Sequence, residues 1–354
     1  MKKFYAFVSL ISLAGFLIGC GSAASSPSEG SVSEKPIRKT EMAIGTVVTL
    51  RIYDEGKEEV MDAAFERIHE LGDKIAVNIE GSDVDNINEN AGVEPVEVSP
   101  VVFKLVERGI THAEDTSGLF NIAVGPLTSL WNIGFDDARK PEQHEIDEIL
   151  PLMDHTKIEI NKEKQTVFLA EEGMRLDLGG IAKGYIADLI AELMVEHGVT
   201  AGIIDLGGDI IVIGNNPSGK PWSIGIQDPL ASRGQPVGTI DATDESIVTS
   251  GIYERILKEE DGEYHHLLNP FDGYPFMNEL AGVTIVSEES IDGDAYSTAV
   301  FGMGVNEGFE YVENVDGVDA VFVTRDREIF VTSGLVDRFT LTNENYEVVD
   351  LPQP

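Results

Sequence analysis

Four short stretches of this chain carry residue types that do chemistry on phosphates. In RLDLGGIAKGYIAD (Arg175 to Asp188) two adjacent glycines and a lysine stand between an apolar run and a helical pattern. Leu176 and Leu178 read as the end of a buried strand. Gly179-Gly180 let the backbone turn and lie close to a ligand, and the N–H groups that open the next helix favour an anion. A plain tight turn between strand and helix asks for the same residues. In IDGDAYSTAVFGMG (Ile291 to Gly304) a helix opening near Asp294 puts Asp294 and Thr298, four apart, on one face. Carboxylate and hydroxyl, completed by water and phosphate oxygens, form a shell that Mg²⁺ accepts, while Asp294 serves equally well as an N-cap. A calcium loop counted from Asp292 needs Gly at its sixth place and Glu at its twelfth, where Ser297 and Met303 stand.

EYHHLLNPFDGYP (Glu263 to Pro275) pairs two histidines with a turn at Asn269-Pro270 and Asp272-Gly273. In a strand His265 and His266 point to opposite faces, so one of them at most addresses a given site. A neutral imidazole is the commonest general base; a strand histidine is also a common structural residue. GNNPSGKP (Gly214 to Pro221) fits a P-loop for seven places, but Pro221 stands where Ser or Thr must hold Mg²⁺ and open a helix. It reads as a hairpin turn.

These residues need elements to hold them. EMAIGTVVTLRIYD alternates and is rich in β-branched residues, which predicts a strand. KEEVMDAAFERIHELGDKIAV places Val60, Ala63, Ala64, Ile68, Leu71 and Ile75 on one helical face. SPVVFKLVERGITHAED repeats the pattern, with Ser99 as N-cap and Pro100 at the first helical position. His69 and His112 on these helices read as surface or packing residues. PEQHEIDEIL predicts a short helix and TKIEINKEKQTVFLA a hairpin. The helix of IAKGYIADLIAELMVEHG should end at Gly198. TAGIIDL, GGDIIVIG, WSIGIQDP and SIVTSGIY predict short strands, a late helix runs from about Asp294 to Val315, and DAVFVT and REIFVT are the last strands. Helices alternate with hairpins rather than with single parallel strands, so the class is α+β. No short internal repeat is present.

Composition narrows the function. With 63 acidic against 25 basic residues the net charge is −38, a surface that repels nucleic acid and anionic lipid head groups. The single cysteine, Cys20, rules out a disulfide framework within one chain, thiolate metal sites and thiol catalysis. Lys2 and Lys3 precede an uncharged apolar run from Phe4 to Ile18. That run is short for a membrane span, which needs about 20 residues, and fits an export signal over residues 1–19. Leu17-Ile18-Gly19-Cys20 resembles the bacterial lipobox, which makes Cys20 a lipidation site and puts the mature protein on the extracytoplasmic face of the membrane. Residues 20–35 read as a flexible tether with a reach of roughly 20 Å, and residues 36–354 as the folded domain.

Taken in order, MAIGT (Met42 to Thr46), GLFNIAVGPL (Gly118 to Leu127), LDLGGIAKGYIAD, LGGDI (Leu206 to Ile210), VTSGIYER (Val248 to Arg255), HHLLNPFDGYP and DAYSTAVFGMG resemble the motifs of the ApbE family. Members of that family are FAD:protein FMN transferases. The resemblance spans about Met42 to past residue 330, and the ordered set is far more specific than one Gly-rich loop. It implies a T-fold-like architecture of mixed β-sheets with helices, in two lobes with a cleft between them.

The resemblance also implies roles. The Gly-rich turn faces the diphosphate of FAD, the substrate. Mg²⁺ is held by the backbone carbonyl of Ala182 with Asp294 and Thr298, and Ser297 assists. Met42, Ala123, Val124, Gly125, Gly179, Tyr185 and Leu267 contact flavin or adenine. His266 is the base that takes a proton from a Thr or Ser hydroxyl on an exported electron-transfer protein, within a segment of the form Asp-x-x-[Ser/Thr]-x-Ala-[Thr/Ser]. That hydroxyl attacks the FMN-side phosphorus, AMP leaves, and FMN stays on the partner as a phosphoester. The chain departs from the pattern at Asn78, where many members carry a tyrosine that stacks on the dinucleotide. Asparagine there points to an alternative, hydrolysis of FAD to FMN and AMP. A lipoprotein that binds flavin without chemistry is the third reading, and it requires an idle Asp294 or His266.

Overall fold

A computed structural model of the chain describes residues 31–351. The expected export signal, Cys20 and the start of the tether lie outside the described residues. Strand β1 (Val32–Ala43) begins inside the stretch read as tether, because its backbone pairs with β2 (Thr46–Asp54) from Val32 opposite Asp54 onward. The alternation of β2 sends Val48, Leu50 and Ile52 fully inside. Helices α1 (Glu58–Ile75) and α2 (Asp83–Glu89), strand β3 (Val96–Glu97), then α3 (Pro100–Asp115), α4 (Gly125–Trp131) and α5 (Gln143–Ile149) follow. The hairpin of β4 (Ile158–Asn161) and β5 (Thr166–Leu169) leads to α6 (Ala182–Glu196), β6 (Gly202–Leu206) and β7 (Asp209–Ile213). Next are β8 (Trp222–Gln227), β9 (Pro236–Ala242), β10 (Glu245–Gly251), β11 (Ile256–Glu259), β12 (Gly262–His265) and β13 (Leu280–Ser287). Helix α7 (Ser290–Glu313), β14 (Val318–Thr324), β15 (Glu328–Val331), β16 (Phe339–Leu341) and β17 (Glu347–Val348) complete the chain.

Nine strands form the main sheet in the order β1-β2-β6-β7-β10-β13-β14-β15-β17. Every pairing in it is antiparallel except β15 with β17. Helices α1, α6 and α7 cover one face, burying Phe65, Ile68, Leu71, Ile186 and Ile190 in the largest core cluster. On the other face a three-stranded sheet, β16-β9-β8, packs Trp222, Ile224 and Ile240 against Val212, Val321 and Val323. Central β13 is therefore buried along its whole length. The α+β class read from the sequence is the observed one.

Several local expectations differ from what forms. Leu176 and Leu178 are buried, but no strand runs there: Leu176 N–H donates to the Asn88 side chain and Asp177 N–H to the Ile122 carbonyl. The Gly214–Pro221 turn is no phosphate loop, and it is no hairpin either, since β7 pairs with β6 and β10 while β8 pairs with β9. The late helix opens at Ser290, a turn before Asp294, and kinks at Gly304, whose φ is 77°. There the Glu279 carboxylate accepts the Val305 N–H at 2.7 Å and caps the second half.

Candidate active site

The N-terminal turns of α6 and α7 meet over the end of the β6–β7 hairpin, and each helix caps the other. Asp294, in the second turn of α7, accepts the Gly184 N–H of α6 at 3.1 Å. Asp188 of α6 accepts the Ser290 and Ile291 N–H groups that open α7, at 2.7 and 2.9 Å. These donors are unsatisfied by helix geometry alone, so a carboxylate from a neighbouring element is their natural partner. Burial lifts the Asp188 carboxyl to about 7, against the pull of those two donors. Gly184 makes the close crossing possible: a Cβ there would lie 2.2 Å from the Ser290 carbonyl oxygen. Asp294 is thus a cap after all, but of the other helix.

The junction concentrates charge. Lys183 Nζ lies 2.9 Å from Asp294 Oδ1 and 2.8 Å from Asp209 Oδ2, and both acids are buried. Burial works against the Lys183 ammonium, but the two carboxylates outweigh it and hold its pKa above the ordinary lysine value. Burial likewise pushes Asp209 up, with Lys183 pulling the other way. Two carboxylates, 5% and 6% exposed, share one ammonium that is 30% exposed, so acidic oxygens outnumber the cation there. Such a surplus suits a cation, and the oxygen donors around it suit a hard one.

Thr298 lies on the Asp294 side of α7, half-buried, its hydroxyl 3.9 Å from where a Cβ on Gly180 would be. Ser297 is turned elsewhere: wholly buried, its hydroxyl meets Ser250 Oγ at 2.8 Å and donates to the Asp294 carbonyl. Ala182 is half-buried at the first position of α6. Neither Gly179 nor Gly180 has a positive φ, so the turn does not demand glycine for its backbone. Gly179 is exposed, and its N–H donates to Asp177 Oδ1. The bare backbone leaves room that side chains would fill beside Thr298 and Phe120, which is a cradle for a close ligand.

His266 directly follows β12. Its Nδ1 is buried with no hydrogen-bond partner among the described residues. Burial, then the charges of Arg255, His265 and Lys183, push the imidazole down to about 3. Lys183 is thus among the charges that bear on His266. His265 faces the other way, as alternation requires: its Nε2 meets the Phe276 carbonyl at 2.9 Å and its ring stands edge-on to Phe301. His265 is a core residue.

The remaining named residues scatter around this centre. Ala123, Val124 and Gly125 form a turn pinned by Arg175, whose carbonyl accepts the Gly125 N–H at 3.2 Å. The Arg175 guanidinium donates to the Val77 carbonyl at 3.3 Å, which sets exposed Asn78 beside that same turn. Met42 is 68% exposed near the tip of the β1–β2 hairpin, where Thr46 abuts Gly207 just before Asp209. Leu267 is only 5% exposed and packs with Phe276, Tyr296 and Phe301. Tyr185, two positions beyond Lys183, is turned about 200° around α6. It packs into the main cluster near Arg108 and Arg67 rather than toward Asp294. Asp209 and Asp188 were not singled out from the sequence. LGGDI stands in the motif series, but nothing in it names the lysine that its acid meets.

The ApbE family model matches residues 44–322. An FAD:protein FMN transferase from Klebsiella pneumoniae is 36% identical, the match covering 87% of this chain and 95% of the relative. One from Treponema pallidum is 33% identical, over 87% of this chain and 90% of the relative. The crystal structure of the ApbE protein from Thermotoga maritima superposes with a TM-score of 0.79 at 28% identity, covering 85% of this chain and 98% of that one. All the motifs quoted from the sequence fall in the matched region except the first two residues of Met42–Thr46, and the chain is a member of the ApbE family.

Proposed function

We propose that this chain is an FAD:protein FMN transferase whose reaction centre is the α6–α7 junction facing His266. The observation that carries the reading is the pair of buried acids, Asp209 and Asp294, sharing Lys183 beside a bare glycine turn, with an imidazole nearby whose Nδ1 has no partner among the described residues. The relatives named FAD:protein FMN transferase support it.

FAD would lay its diphosphate along Gly179-Gly180, with the dinucleotide arms reaching toward the Ala123–Gly125 turn, Asn78 and Met42. Asp294, Thr298 and the Ala182 carbonyl would hold Mg²⁺, which supplies charge neutralisation for the attacked phosphate and the departing AMP oxygen. Ser297 fits an indirect part better than a ligand's, because its hydroxyl is committed to Ser250. His266 takes the proton of the acceptor's Thr or Ser hydroxyl as that oxygen attacks the FMN-side phosphorus. The P–O bond to AMP breaks with its electron pair on AMP, and FMN stays on the acceptor as a phosphoester. Positioning and electrostatics do most of the work in such transfers. An imidazole neutral far below pH 7 is in the form that accepts a proton, and the phosphates of bound FAD raise its basicity toward the working pH. The acceptor in this reading is an exported electron-transfer protein bearing Asp-x-x-[Ser/Thr]-x-Ala-[Thr/Ser], met by an enzyme lipid-anchored through Cys20 outside the cytoplasmic membrane.

Incubation with FAD, Mg²⁺ and a peptide carrying that segment tests the reading. The peptide should gain the mass of FMN. Release of AMP and free FMN with an unlabelled peptide would make the chain an FAD diphosphatase, the outcome that Asn78 favours, and intact FAD would leave it a binding protein.

A further inference from the structure

Both carboxylate oxygens of Asp294 are engaged: Oδ1 by the Lys183 ammonium and Oδ2 by the Gly184 N–H. An incoming divalent ion has the spare lone pairs of both Asp294 oxygens open to it, and on Oδ1 it meets the Lys183 ammonium directly. A monovalent and a divalent cation on one oxygen repel strongly where water is scarce. Lys183 has somewhere else to go. Asp209 reaches it from the start of β7 at 2.8 Å, and the only partner of Asp209 Oδ2 among the described residues is that ammonium.

We infer that Lys183 and the divalent ion exchange on Asp294. Without the ion, Lys183 bridges Asp294 and Asp209 and holds the α6–α7 junction closed; with the ion on Asp294, Lys183 rests on Asp209 alone. The inference builds on the reading of Asp294 as a metal ligand. Two buried carboxylates without a cation carry a large desolvation cost, so an internal ammonium keeps the site assembled before the ion arrives. The same ammonium competes with the ion and weakens its binding. Lys183 is a positioning residue in this account, and its removal should strengthen metal binding while weakening the ion-free protein.

The test is Mn²⁺ binding to the full chain, with the free ion counted by electron paramagnetic resonance, together with melting in the presence of a chelator. Lys183→Met should bind Mn²⁺ roughly tenfold more tightly or better, from loss of the competing charge, and should melt lower without the ion. Lys183→Arg should restore both properties toward the parent. Asp209→Asn keeps the lysine but removes its resting place, so Mn²⁺ should bind more weakly. Unchanged or weaker binding by Lys183→Met overturns the exchange. If that variant does not fold, unchanged binding by Asp209→Asn overturns it. Mn²⁺ binding that Asp294→Asn leaves intact would remove Asp294 as a ligand, and the exchange with it; binding that needs Asp294 but ignores Lys183 and Asp209 would sink the exchange alone.

Discussion

The two sides of the site are built on opposite plans. At the helix junction each buried acid has a partner: Asp294 has Lys183 and the Gly184 N–H, Asp209 has Lys183, and Asp188 has two helix-opening N–H groups. Across from it His266 keeps a buried nitrogen with no partner. Saturated groups hold a geometry; an unsaturated one is left free for a proton. The contrast separates residues whose partners fix a geometry from one whose free nitrogen is open to a proton, although the core residue His265 also keeps an unpartnered Nδ1.

Mutations that separate the two plans test the contrast. Asp294→Ala should have the largest effect: activity falls on the order of a thousandfold or more, consistent with several kcal/mol of lost charge stabilisation, and metal dependence goes with it. Normal turnover with Mg²⁺ in a steady-state assay would mean the saturated side is not where the ion acts. His266→Ala should lose about 10²–10⁴-fold in transfer rate while still binding FAD by fluorescence titration. An unchanged rate would make His266 another core histidine like His265.

Gly184→Ala probes assembly rather than chemistry. Its Cβ would meet the Ser290 carbonyl, so the two helices must part, and overpacking of this kind costs about 1–3 kcal/mol. Chemical denaturation should show that loss, with an added fall in activity as Asp294 moves; unchanged stability would contradict the tight crossing. The smallest effect concerns pH. The free-enzyme imidazole sits at about 3 because it is buried beside positive charge. A base acts unprotonated and fails as pH falls through its pKa, so kcat/KM, which reports the free enzyme, should show no acid inflection near the ordinary histidine value of about 6.5. Because Asp188 titrates near 7 in the same junction, the His266 ring signals followed by NMR decide the point, and a titration of that imidazole near 6.5 would place His266 in water.

Much of this arrangement could be read from the sequence because it depends on local periodicity. The four-residue spacing of Asp294 and Thr298 holds in α7, and the opposite faces of His265 and His266 follow from strand alternation. Contacts between distant elements were not legible. Asp209 meets Lys183 only because the β6–β7 turn ends beneath α6, and nothing within LGGDI announces that. Leu176 and Leu178 read as a strand because they alternate and are buried, yet their backbone partners are Ile122 and the Asn88 side chain rather than a neighbouring strand. Strand β9 alternates in burial with its core residues Val237, Ile240 and Ala242, but its glycine and proline hid it.

The central claim is that the α6–α7 junction holds a divalent ion against the diphosphate of FAD. Anomalous scattering from crystals soaked with Mn²⁺ and FAD tests it most directly. The account predicts one strong peak within coordination distance of Asp294 and Thr298, with the diphosphate over Gly179-Gly180. A peak elsewhere, or FAD bound with no ion between these residues, would contradict it.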